Sequence, residues 1–229
     1  MLDERLNRVM EYITGDTLVD IGSDHAYLPI EAYHNDKIKF AVCGEVVEGP
    51  YQSTVNNIRQ HELNDKIEAR LGNGLKVLNN EDVDTITICG MGGPLIAQIL
   101  KEGFGHVGNH PRLILQANTY TYPVRKAISE LGYTITNEDV LKDGRHFYEI
   151  IVCDFYPKQK NYTEKELKFG PVNLENRTEA FIDKLNWELE HHKRILKGID
   201  STAEKNTEKI DELNLKISER HEVLNSESQ

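Results

Sequence analysis

Seven short apolar runs, separated by stretches with helical spacing, constrain this chain more than any other feature of its sequence. Candidate strands fall at 18–21, 40–44, 67–71, 84–89, 112–116, 133–140 and 147–154. Helices fit at 3–13, where Leu6, Val9, Met10 and Ile13 share a face, and at 28–36, 50–63, 93–103 and 122–131. Strands alternating with helices imply an α/β domain with a doubly wound, mostly parallel sheet. The last two runs break the rhythm. Only Leu141 to His146 separates them, and Asp143-Gly144 suits a tight turn, so they read as an antiparallel hairpin closing the sheet.

After Pro157 the character changes, which divides the chain into an expected body over 1–157 and an appendage over 158–229. From Leu174 onward a three/four spacing of mostly apolar residues, among them Phe181, Leu185, Leu189, Leu196, Ile199, Ile210, Leu213 and Ile217, predicts a helical coiled coil. Gly198 and a weak seam at Ala203 and Asn206 favour an antiparallel hairpin turning near 198–207 over a single rod.

The net charge of -11 argues against a surface that grips nucleic acid everywhere. The body carries 14 Lys and Arg against 23 Asp and Glu, the appendage 13 against 15, so a local basic patch on the appendage can still meet phosphates. The polar start Met1-Leu2-Asp3-Glu4-Arg5 is no signal peptide, and no apolar run approaches the ~20 residues that span a bilayer, which predicts a cytoplasmic protein. Cys43, Cys89 and Cys153 sit in strand-like runs without metal-ligand spacing. They read as reduced thiols, and no metal site is expected.

Candidate chemistry begins at Leu18-Val19-Asp20-Ile21-Gly22-Ser23-Asp24-His25-Ala26-Tyr27-Leu28. A strand, a glycine turn and a helix start in this order place backbone N–H groups over a nucleotide-like ligand. Asp24 and Ala26 stand where a dinucleotide fingerprint has its second and third glycines. Asp24 would repel a pyrophosphate but suits a ligand with a positive centre and an ammonium group, such as S-adenosylmethionine. An ordinary strand-to-helix turn fits the same residues. Glu45 stands just past the second strand, where an acid can accept hydrogen bonds from both ribose hydroxyls of an adenosyl ligand. Gly72-Asn73-Gly74 follows the third strand and offers an amide to an adenine edge, or simply makes a turn. Gly90-Met91-Gly92-Gly93 follows the fourth, with more glycine than a turn needs, which suggests backbone brought close to a ligand. Gln116-Ala117-Asn118-Thr119-Tyr120 ends the fifth, with amide and aromatic groups able to hold and stack on a base. All these turns lie at the carboxyl ends of candidate strands, where open α/β sheets place ligands.

Together these residues resemble the bacterial tRNA (adenine-22-N1)-methyltransferase family. The likeness rests on Asp20-Ile21-Gly22-Ser23-Asp24-His25-Ala26-Tyr27-Leu28-Pro29, on Gly44-Glu45-Val46-Val47-Glu48-Gly49-Pro50, on Gly90-Met91-Gly92-Gly93 and on the position of the helical appendage. It implies a Rossmann-like class I methyltransferase body that uses S-adenosylmethionine, with tRNA as substrate and no membrane or DNA partner. The expected cofactor site is Asp20, Gly22, Ser23, Asp24, His25, Glu45, Val46, Asn73, Gly74, Gly90, Met91, Gly92 and Gly93. Asn73 departs from the acid that many class I enzymes carry there. Asp24, Asn118 and Tyr120 are the candidate catalytic residues, Asp24 for the charge that develops and the other two for the flipped base. A small-molecule methyltransferase and a non-catalytic nucleotide-binding adapter are the rival readings. The oligomeric state stays open, a monomer being favoured.

Overall fold

Leu18, Val19 and Ile21 are buried in a strand at the middle of a seven-stranded sheet. The protein is described by a computed structural model over residues 2–157, 160–200 and 206–226. The strands are β1 (Thr17–Ile21), β2 (Phe40–Glu45), β3 (Ile67–Leu71), β4 (Thr85–Gly92), β5 (Arg112–Thr119), β6 (Tyr133–Asp143) and β7 (His146–Phe155). Their order is β3-β2-β1-β4-β5-β7-β6. β1 to β5 run parallel, and β7 enters antiparallel between β5 and β6. This is the expected Rossmann-like sheet with its terminal hairpin. The strand order reverses between β1 and β4, which opens a crevice at their carboxyl ends.

Helices α1 (Glu4–Glu11), α2 (Tyr27–His34), α3 (Glu48–Gln60), α4 (Gly93–Gly103) and α5 (Tyr122–Glu130) cover the sheet. The strands alternate between two buried clusters, as a period of two requires. Leu113, Leu115, Ile151 and Cys153 pack with Ile96 and Leu100 of α4 and Val124 and Ile128 of α5. Ile114, Ile150 and Val152 pack with Val9 of α1, Ile30 of α2 and Ile58 of α3. Asp3 starts α1 by accepting the Leu6 N–H at 2.7 Å, which satisfies one of the open donors of the first turn.

The chain divides into two compact units, Met1–Val172 and Asn173–Gln229. The division falls after Val172 rather than after Pro157 because the segment between them is bound to the sheet. It forms helix α6 (Glu164–Phe169), capped by Thr163 and Glu166, and Leu167 and Phe169 are buried. Arg125, fully buried, donates to Glu138 Oε1 at 2.7 Å and Glu149 Oε2 at 2.6 Å, and its Nη1 reaches the Leu167 carbonyl at 3.4 Å. Burial works against its charge, but the two carboxylates more than offset this and raise its pKa. Glu138 also accepts the Val172 N–H at 2.9 Å. A short helix, α7 (Pro171–Asn176), follows.

In the second unit α8 (Glu179–Asp200) packs with α9 (Thr207–Asn225). The Arg177 guanidinium donates to the Val223 carbonyl at 2.8 Å, and Arg220 pairs with Glu188 at 2.8 Å, so the helices run antiparallel. Residues 201–205, in the expected turn, lie outside the described residues. No helix among the described residues is long and apolar enough to cross a membrane.

Candidate cofactor and substrate site

At the carboxyl end of β1 the backbone takes an uncommon path. Gly22 has φ +70°, and Asp24, His25 and Ala26 follow at +40°, +71° and +57°. Three successive non-glycine residues in the left-handed region cost energy that surrounding contacts must offset. Glu45 at the tip of β2 provides two of these, its Oε1 accepting the Asp24 N–H at 2.9 Å and the Ser23 hydroxyl at 3.3 Å. Asn57 of α3 donates to the His25 carbonyl at 2.6 Å, and the His25 ring stacks on Tyr27 at 5.3 Å. The Asp24 carboxylate is left exposed, 3.7 Å from His25 Nε2.

Beneath this turn Asp20 is buried and accepts the Thr87 hydroxyl at 2.6 Å. Burial pushes its pKa up to about 7, the Glu45 charge adds to the rise, and Thr87 and Arg5 oppose it. Beside it Cys89 remains a thiol, raised first by burial and then by Asp20.

The glycine-rich segment is the end of β4 rather than a loop. Its pairing with β5 slips at Cys89–Met91 and again at Met91–Gly92, a bulge made possible by Gly90 at φ +77°. Four groups lock this bulge to the end of β5. Gln116 Oε1 accepts from Arg5 Nη1 at 2.7 Å and from the Gly90 N–H at 2.9 Å. Gln116 Nε2 donates to Asn118 Oδ1 at 3.1 Å, and Asn118 Nδ2 donates to the Gly90 carbonyl at 2.8 Å. Gly92 (φ -72°) is unconstrained, since a Cβ there would meet nothing nearer than Thr119 Oγ1 at 3.8 Å. The close approach is at Gly93, where a Cβ would overlap the Tyr120 carbonyl.

A cavity of about 630 Å³ joins these parts. It gathers Asp20, Gly22, Ser23, Asp24, Gly90, Met91 and Asn118 from the expected site. Glu45 stands behind the turn and holds it. Val46 is exposed just past β2, His25 flanks the turn, and Gly93 opens α4. Asn73 faces a separate recess of about 40 Å³ beside Gln98 and Glu102, and Gly74 is buried under Ile99. Tyr120 does not line the cavity but walls a neighbouring groove.

The sequence reading did not foresee Arg5 and Leu6 of α1, nor His146, Phe147 and Tyr148 of β7, which complete the wall. The Arg5 guanidinium lies 5.7 Å from the centre of the Tyr148 ring. Arg5 lies off the apolar stripe of α1, and that was the available signal. The His146–Tyr148 contribution depends on β7 lying next to β5, which no local pattern encodes.

Comparison with known proteins identifies the family. The sequence profile of the tRNA (adenine(22)-N(1))-methyltransferase family matches residues 18–222. A tRNA (adenine(22)-N(1))-methyltransferase of Bacillus subtilis is 36% identical over 219 residues, covering 93% of this chain and 92% of that protein. The solved structure of Sp1610 from Streptococcus pneumoniae, in complex with S-adenosyl-L-methionine, superposes with a TM-score of 0.87 at 40% identity, covering 98% of this chain and all of that one. TrmK of M. capricolum, solved with S-adenosyl-homocysteine, gives a TM-score of 0.84 at 28% identity, covering 98% of each chain. The chain belongs to the tRNA (adenine(22)-N(1))-methyltransferase family.

Proposed function

We infer that the chain methylates N1 of adenine 22 in tRNA with S-adenosylmethionine as donor. One observation carries the reading at the level of the site: a single cavity is lined both by the turn after β1 and by Asn118 and Thr119 of β5. Donor and acceptor can therefore share one space, as an in-line transfer requires.

The residues present fit the donor. Asp24 offers an exposed carboxylate to an ammonium group. Glu45 holds the turn through Oε1 alone, which leaves Oε2 for ribose hydroxyls. Val46 follows the carboxyl end of β2, the direction in which an adenosine would extend, whereas Asn73 faces its own recess and Gly74 is buried. When bound, S-adenosylmethionine supplies an electrophilic methyl group on its sulfonium.

On the acceptor side N1 of adenine carries an in-plane lone pair, so no residue must remove a proton before attack. What the protein supplies is alignment and a place for the positive charge that passes to the base. Asn118 Oδ1 takes one bond from Gln116 and keeps a second lone pair. That acceptor suits the 6-amino group of adenine and repels the 6-oxo group of guanine. Asp24, which lines the cavity with an exposed carboxylate, supplies negative charge for it.

In this reading α8 and α9 hold the tRNA. Along them Lys184 and Arg220 pair with Glu188, Lys193 with Glu190 and Lys216 with Glu212. Exposed pairs such as Lys193–Glu190 are weak enough to yield to phosphates.

Mass analysis of nucleosides from tRNA incubated with the enzyme and S-adenosylmethionine tests the reading, and 1-methyladenosine is the expected product. Cofactor binding without that product would leave the small-molecule methyltransferase. Absence of both would leave the adapter.

A further inference from the structure

We propose that the groove walled by Tyr120 and Tyr122 binds an unpaired nucleobase that neighbours the methylated one in the RNA strand, an assignment that rests on the methyltransferase reading above. The groove has a volume of about 540 Å³ and a floor of Pro94, Ala97 and Pro123. It adjoins the cavity through consecutive residues, since Thr119 lines the cavity and Tyr120 the groove. A strand that delivers one base beside Asn118 therefore passes its next base over Tyr120.

The two rings are differently held. Tyr122 is anchored, its hydroxyl donating to Glu164 Oε2 at 3.2 Å. The Tyr120 ring lies nearly parallel to it, 22° between planes and 6.2 Å between centres, and is 66% exposed. An exposed aromatic ring is ordinarily mobile, but the backbone beneath this one is fixed. Tyr120 has φ +55°, its carbonyl is packed against Gly93, and the next residue, Thr121, donates to Glu149 at 3.1 Å and accepts from Arg125 at 2.8 Å. A strained residue held by a buried ion network, with its ring turned out to solvent, displays that ring rather than buries it. Any base can stack on such a face, whatever its edge.

Charge selects the partner. Lys101 and Lys126 line the same groove on a body whose balance is otherwise acidic. The one carboxylate among its described lining residues, Glu102, accepts from Gln98 at 2.8 Å, and Lys101 pairs with the exposed Glu130 at 2.6 Å. An apolar floor, a displayed ring and two ammonium groups match a base with its flanking phosphates. They do not match a basic or purely apolar peptide. The target base is assigned to the cavity, which Asn118 lines on the other side of Thr119.

The test is steady-state methylation of tRNA by the full chain and its Tyr120→Ala and Tyr120→Phe variants, with S-adenosylmethionine affinity measured by calorimetry. A 2-aminopurine probe placed next to the target adenine reports stacking. Tyr120→Ala should raise the KM for tRNA roughly tenfold or more, with kcat changing much less. Tyr120→Phe should restore KM, and the probe should be quenched by the wild type and not by Tyr120→Ala. A loss confined to kcat would return Tyr120 to the target base and overturn the proposal. So would an unchanged KM, or an unquenched probe on an enzyme that still methylates. If the wild type forms no 1-methyladenosine at all, the function reading fails instead, and the quenching result then decides the groove separately.

Discussion

Arg5 Nη1 lies 2.7 Å from Oε1 of Gln116, joining residues 111 positions apart. Both donors that meet Gln116 Oε1, the guanidinium and the Gly90 N–H, can only donate, so the amide has one allowed orientation. Its Nε2 must then face Asn118, and the Gly90 carbonyl fixes the Asn118 amide in turn. Arg5→Met should release this relay. Loss of one bond in such a network costs about 1–3 kcal/mol, so methyl transfer should slow roughly tenfold while calorimetric affinity for S-adenosylmethionine changes little. Unaltered single-turnover rates would remove Arg5 from the acceptor side.

Asp20 makes stability depend on pH. Its pKa in the folded chain is raised from 3.8 to about 7, so between those values the folded state binds more protons than the unfolded one. Stability should fall as pH rises through that window, the contribution being complete below it. Asp20→Asn keeps an acceptor for Thr87 and should flatten the slope. Urea midpoints of both proteins from pH 4 to pH 8 measure it, and parallel curves would contradict the assignment.

Gly92 and Gly93 should differ sharply. Gly92→Ala meets no atom closer than 3.8 Å and should leave the urea midpoint nearly unchanged. Gly93→Ala drives a methyl group into the Tyr120 carbonyl, and overpacking of this kind costs about 1–3 kcal/mol or more. Equal midpoints for the two variants would mean that the Thr119–Tyr120 backbone moves aside freely.

Arg125 holds two buried carboxylates, and removing it strands them. Arg125→Met should destabilise the chain by about 3–5 kcal/mol. Replacing Glu138 and Glu149 by apolar residues as well should recover much of that loss. If the single variant unfolds at the wild-type midpoint, the triad contributes little.

Cutting the chain gives the fifth test. Residues 1–172 should fold and bind S-adenosylmethionine while tRNA affinity and methylation are largely lost. Residues 1–157 should be much less stable, since Leu167, Phe169 and the Val172 N–H that complete the Arg125–Glu138 region are gone. A 1–172 chain that methylates tRNA normally would make the helical pair dispensable for the substrate.

The strands were legible because β-branched and apolar runs end at turn residues, and the helical appendage because its spacing persists over many turns. Gly90-Met91-Gly92-Gly93 reads locally as a turn, yet β5 alongside extends it as a bulged strand, and that pairing joins residues far apart in sequence. The same holds for α6. Its polar surface suggests a linker, and the buried Arg125 that binds it lies about forty residues earlier. Asp20 could be picked out as the one acid in an apolar strand, and Asp24, Glu45 and Asn118 from their places at or just past strand ends. Whether a side chain faces the cavity or the groove, as for Asn118 and Tyr120, depends on backbone angles that residue types alone do not specify.

The insertion of β7 between β5 and β6 has a consequence for how the chain is made. β6 runs parallel to β5 in the finished sheet, separated from it by β7. Until β7 emerges from the ribosome, β5, α5 and β6 form a complete strand–helix–strand unit of the kind that pairs directly. From Thr119 to Phe155 synthesis takes roughly 2–7 s at ordinary elongation rates. During that interval the outer edge of β5, with Leu113 to Leu115, is open to β6 or to another nascent chain. Its last strand must therefore claim an edge that an earlier one could already have taken, and chaperone capture in that interval would keep the edge available.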